Sequence, residues 1–158
     1  MRKLILSLPI FFAFMMVLSG CGKTVVDPTP TELLTKTWSV NVAKHDGTQV
    51  YQKSATTNID AGYTNYRLAL TGTGTNLSAS LTAKDNTTFT GTWALSSDNK
   101  TLTLSGLKNS AGVPPTGTTG TIVYNVIGTI TATAVTFESA AKDLKAGNST
   151  VNLQLVNP

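Results

Sequence analysis

The chain has 158 residues, 41% of them hydrophobic and only 13% charged, with one Cys and one His. Its formal net charge of +4 is scattered, with no Lys/Arg cluster, which excludes the basic patch that nucleic-acid binding needs. A lone Cys excludes an intramolecular disulfide framework, and the length predicts one domain, large enough to bury a core without such cross-links.

At the start, Arg2 and Lys3 precede an uncharged, almost wholly apolar run from Leu4 to Leu18, and Ser19 and Gly20 follow. Positive residues, then an apolar run, then small residues is the order of a secretory signal peptide. An uncleaved anchor fits less well. A spanning helix needs about 20 apolar residues, and this run is shorter and interrupted by Pro9. The closing tetrapeptide Leu18-Ser19-Gly20-Cys21 resembles the lipobox of bacterial lipoproteins. The resemblance implies that residues 1–20 are removed, that the Cys21 sulfur receives a diacylglycerol, and that the new amino terminus takes a fatty acid such as palmitate. A thiolate is the competent nucleophile for that step, and several acyl chains are needed because one alone anchors only marginally. A free exported thiol would sit oddly in an oxidising compartment. In that family an Asp after the Cys signals inner-membrane retention; Gly22 stands here, so the resemblance implies the outer membrane. The expected location is the cell envelope, with the membrane as partner through lipidated Cys21.

Removing a 20-residue signal from 158 leaves 138 residues, and 12 basic residues less Arg2 and Lys3 leave 10 against 8 acidic ones. Residues 21–30 read as acylated Cys and tether, since Pro28 and Pro30 with flanking Thr favour an extended spacer. Residues 31–158 form the domain. One short helix is predicted at its start. Thr29 is placed as N-cap, Pro30 at the first helical position and Glu32 three residues after the cap, with Leu33 and Leu34 facing the core.

Beyond Thr37 the apolar period becomes two. Alternation sets Trp38, Val40 and Val42 on one face, then Tyr66, Leu68 and Leu70, then Leu77, Ala79 and Leu81. Further on, Phe89, Gly91, Trp93 and Leu95 share a face, as do Leu102 and Leu104, and Val151, Leu153 and Leu155. The segment around Tyr124 is apolar on both faces. Nine strands are expected, centred near Val40, Tyr51, Leu68, Ala79, Gly91, Leu102, Tyr124, Val135 and Leu153. Asp46-Gly47 predicts a hairpin turn; the Asp-Asn pairs in KDNT and SDNK predict two more, making Leu77–Gly106 a three-stranded meander. One connection, Leu107–Gly120, is long and rich in Gly and Pro; such a loop is either a functional rim or a surface excursion.

Strands with one dry face must close on themselves or stack on a second sheet. The expectation is an all-β domain: a small up-and-down antiparallel barrel with a short N-terminal helix, with a β-sandwich as the alternative. The segments LLTKTWSV, FTGTWALSSDNKTLTLSG and VNLQLVNP resemble the lipocalin-like domain of small bacterial lipoproteins. The resemblance spans Leu33 to Pro158 and implies that barrel. It is loose in two places. Lys36 stands where lipocalins usually have Gly, and the last strand lacks the Arg that in that family packs under the first Trp.

Little here resembles catalytic machinery. His45 sits beside Asp46 at a predicted turn, which points to a surface residue, since sequence neighbours seldom give a base–orienter geometry. Asp85 and Asp98 lie in separate turns without calcium-loop spacing; Gly72 and Gly74 lack a third Gly and a following helix. Asp60, Glu138 and Asp143 are scattered acids. No catalytic residue, metal site or cofactor is expected. The candidate ligand-binding residues are the aromatics of the dry faces, Trp38, Tyr66, Phe89, Trp93 and Tyr124, which either fill the barrel or surround one ligand. Gly91 beside Trp93 suggests room there. The expected function is a non-enzymatic, lipid-anchored envelope protein that binds or carries a small apolar ligand. The alternative is a β-sandwich module binding glycans or another protein.

Overall fold

The computed structural model describes residues 26–158; the expected signal, Cys21 and the first part of the tether lie outside the described residues. Helix α1 (Pro30–Leu34) forms as its capping box predicts. Glu32 N–H donates to Thr29 Oγ1 at 3.3 Å, and Thr29 N–H donates to Glu32 Oε2 at 2.7 Å. The helix is one turn long, so its terminal carbonyls need outside donors. Trp38 Nε1 supplies one, donating to the Leu34 carbonyl at 2.9 Å.

Nine strands follow in the expected places: β1 (Thr37–His45), β2 (Thr48–Gln52), β3 (Arg67–Thr73), β4 (Asn76–Thr82), β5 (Thr88–Leu95), β6 (Thr101–Lys108), β7 (Ile122–Ile127), β8 (Ala134–Ser139) and β9 (Val151–Val156). From β3 to β9 each strand pairs antiparallel with the next. β9 then pairs with β1, and the first residues of β1 pair with β3. Eight strands therefore close into a barrel, and β2 is an extra strand on the far half of β1. Closure replaces the sandwich alternative and leaves the barrel with no free edge of its own.

The turns obey local chemistry. Asp46 and Gly47 both take positive φ, 44° and 84°, as a two-residue primed hairpin requires. Asn86 and Asn99 take φ of 65° and 60° in the turns flanking β5. Inward positions carry the core, with Leu68, Leu70, Leu102, Leu104, Phe137, Leu153 and Leu155 at 0–1% exposure.

Two local features depart from simple alternation. On β1, Val40 faces Leu155 and Val42 faces Gln154, so Asn41 is an extra, bulged residue. A bulge of one residue swaps the faces beyond it. Ala43 is therefore fully buried, while Val42, expected on the dry face, is only half-buried. On β6, Gly106 at φ 65° makes a second bulge opposite Gly91 and turns Leu107 inward after Leu104. A Cβ on Gly91 would lie 2.3 Å from the Ser105 carbonyl oxygen. The room expected beside Trp93 is thus occupied by β6 backbone; Gly91 permits a close approach and opens no space.

The end of the barrel where β1 begins is closed by buried side chains. Leu34 and Trp38 are both 0% exposed there, and Trp93 anchors by donating from Nε1 to the Thr71 carbonyl at 3.1 Å. Lys36 lies over the Trp38 ring, Nζ 5.5 Å from its centroid, and donates to the Ala132 carbonyl at 2.6 Å. The cation against this Trp comes from the residue just before its own strand.

Candidate functional site

At the opposite end, where β1 stops and β3, β5, β7 and β9 begin, the barrel holds a cavity of about 560 Å³. Its inner wall is made by Leu81, Phe89, Ile122, Val151 and Leu153 together with three tyrosines, Tyr63, Tyr66 and Tyr124. Two connections form its rim. The long β6–β7 loop contributes Pro115 to Thr119, and the β8–β9 connection contributes Ala140 to Lys145. They meet over the mouth, where a Cβ on Gly117 would lie 2.8 Å from Leu144 Cδ1.

Both rims are internally bonded. Asn109 Oδ1 accepts from Ala111 and Val113 N–H at 3.0 and 2.9 Å, and Thr118 Oγ1 donates to the Pro115 carbonyl at 2.9 Å. The loop is thus a built rim of the cavity. In the β8–β9 connection Asp143 caps a single 3-10 turn, Leu144–Ala146, accepting from Lys145 N–H at 2.7 Å. Lys145 Nζ reaches Asp85 in the β4–β5 turn and so ties this rim to the barrel wall. That ammonium, with help from the Thr87 amide, holds the Asp85 carboxyl down at about 2.

The polar groups of the wall are tied to one another. Tyr66 and Tyr124, each 6% exposed, share a hydroxyl–hydroxyl hydrogen bond of 3.2 Å. Tyr63 enters from a 3-10 turn, Ala61–Thr64, capped by Asp60, and its hydroxyl lies 2.8 Å from His45 Nε2. Lys84 Nζ pairs with Asp60 Oδ2 at 2.5 Å and stands 5.5 Å from the centre of the Tyr63 ring. Burial pushes the Tyr66 and Tyr63 hydroxyls well above the ordinary phenol range and Tyr124 up to about 12. The phenols are therefore neutral hydrogen-bonding groups at physiological pH. Burial also pushes the His45 imidazole down, with the Lys84 charge adding to the effect.

Of the five aromatics expected to touch a ligand, the structure brings Tyr66, Phe89 and Tyr124 together on the cavity wall. Trp38 and Trp93 are fixed in the core, with both indole N–H groups on main-chain carbonyls. Sequence reasoning missed Tyr63, which lies in a stretch without alternation, and the β8–β9 connection. It also placed His45 on the surface; past the Asn41 bulge its ring turns toward Tyr63 and is half-buried. A two-residue turn next to an unseen bulge carries no signal of that reversal. No protein-family model matches this chain, and no curated protein matches it in sequence.

Proposed function

We propose that this protein is a non-enzymatic binding protein of the cell envelope, a lipocalin-like barrel tethered to the outer membrane through lipidated Cys21, that holds a small apolar molecule at one end of its barrel. The observation that carries the binding reading is the cavity of about 560 Å³ walled by aliphatic and aromatic side chains. Ligand pockets are typically about 300–1,000 Å³, mostly apolar, with a few convergent polar groups. The tyrosine and threonine hydroxyls here supply those groups. The anchoring half of the reading rests on the lipobox resemblance at Leu18–Cys21.

Titration with N-phenyl-1-naphthylamine, a neutral dye that brightens in apolar surroundings, tests the binding reading. Saturable one-to-one binding is expected, and Ala83→Phe, which adds a ring to the cavity wall, abolishes it. Absence of saturable binding, or binding indifferent to Ala83→Phe, refutes the reading.

A further inference from the structure

We propose, resting on the cavity-binding reading above, that the ligand is a neutral apolar molecule bearing an acceptor oxygen of the ester or ketone class, docked on the Tyr66–Tyr124 hydroxyl pair. The argument is a count of hydrogens. Each phenol carries one O–H and can also accept. The 3.2 Å bond between the two hydroxyls uses one of the two hydrogens. The other has no acceptor among the described protein atoms, although both rings are 6% exposed and line the cavity. A buried donor left unmet is unfavourable, so an occupant that accepts a hydrogen bond at this point is preferred over a hydrocarbon of equal size.

The charges nearby favour a neutral oxygen over a carboxylate. Lys84 and Lys145, the cations nearest the wall aromatics, are already paired with Asp60 and Asp85. The negative charge of Asp143 bears on both hydroxyls, adding to burial in holding them protonated, and it opposes a second anion docked on them. Lys142 also lines the cavity and makes no salt bridge among the described residues. A free acid steered by Lys142 is therefore the competing outcome.

Displacement of bound N-phenyl-1-naphthylamine by three matched probes separates these cases: methyl dodecanoate, dodecanoic acid and tetradecane. The ester is expected to bind about ten-fold more tightly than the hydrocarbon, the worth of one buried hydrogen bond, and more tightly than the acid. In the double variant Tyr66→Phe/Tyr124→Phe the ratio of ester to hydrocarbon affinity is expected to fall to about one. Removing both partners leaves no orphaned hydroxyl, so the fold survives, which a thermal melt verifies. Each single Phe variant leaves one free hydroxyl and keeps a preference. Equal binding of ester and hydrocarbon, an ester preference that survives the double variant, or acid bound as tightly as ester each overturns the inference while dye binding still upholds the binding reading. A chain that binds no dye sinks both.

Discussion

His45 Nε2 and the Tyr63 hydroxyl lie 2.8 Å apart, and the two rings meet edge-on with centroids 5.8 Å apart. The imidazole is held in its neutral form by burial and by the Lys84 charge. Because its folded-state pKa is depressed below the usual value of 6.5, the unfolded chain takes up the proton first on acidification. The stability this provides is complete above pH about 6.5 and is lost as pH falls through the lowered folded value. Urea melts between pH 7.5 and 5 are expected to show this loss in the natural chain and not in His45→Phe. Asp85, held at about 2, titrates in a lower window and is distinguishable. A pH slope unchanged by His45→Phe counts against the assignment.

Gly91→Ala is expected to destabilise the barrel by about 3 kcal/mol, the upper range for overpacking against rigid backbone. Its new Cβ would meet the Ser105 carbonyl oxygen, which cannot rotate aside. Thr90→Ala and Thr92→Ala, on the exposed face of the same strand, are expected to stay within about 0.5 kcal/mol. Denaturant melts of the three variants decide it; a neutral Gly91→Ala means β6 can move away.

Trp93→Ala and Phe89→Ala separate core from cavity along one strand. Both side chains are 3% exposed, but only Phe89 touches the cavity. Trp93→Ala is expected to cost about 3–5 kcal/mol, more than Phe89→Ala, whose ring already lacks neighbours on one side. Uptake of the apolar dye is expected to change in Phe89→Ala and not in Trp93→Ala at temperatures where both are folded. Equal effects on uptake would contradict the placement of the cavity.

On the proposed lipid anchoring, Cys21→Ala is expected to abolish fatty-acid labelling and to release the protein from membranes, because the variant lacks the thiol that the proposal makes the acceptor of the diacylglycerol. Metabolic labelling and membrane fractionation measure both. A variant that still labels and sediments removes the lipid anchor from the proposal.

How much was legible in the sequence follows from the range of each interaction. The capping box at Thr29 and Glu32, the Asp46-Gly47 turn and the Asn86 and Asn99 turns depend on residues a few positions apart; all nine strands were placed, six of them from a clear alternation, while the strand around Tyr124 is apolar on both faces. The bulge at Asn41 depends on how β1 meets β9, and so the exchange of Val42 for Ala43 and the inward turn of His45 were hidden. Gly91 has two meanings in a strand, space or close approach, and only the position of Ser105 chooses between them. The tryptophans and tyrosines looked alike as apolar-face aromatics. What divides them is whether a main-chain carbonyl lies in reach of the polar atom, as Leu34 and Thr71 do for Trp38 and Trp93. The cavity itself arises where two distant connections meet at Gly117 and Leu144, a relationship without local signature.

The pairing of β1 with β9 has a consequence for how the chain reaches this form. Ser39 and Val156, hydrogen-bonded across that seam, are 117 positions apart. Folding routes dominated by such remote pairings are slow, because chain entropy is surrendered before the contacts repay it. Until Val151–Val156 has been synthesised, β1 and β8 both present unpaired main-chain edges, which invite pairing with other molecules. A ribosome-bound or truncated chain therefore has no near-native resting point, and loss of one six-residue strand opens two edges at once.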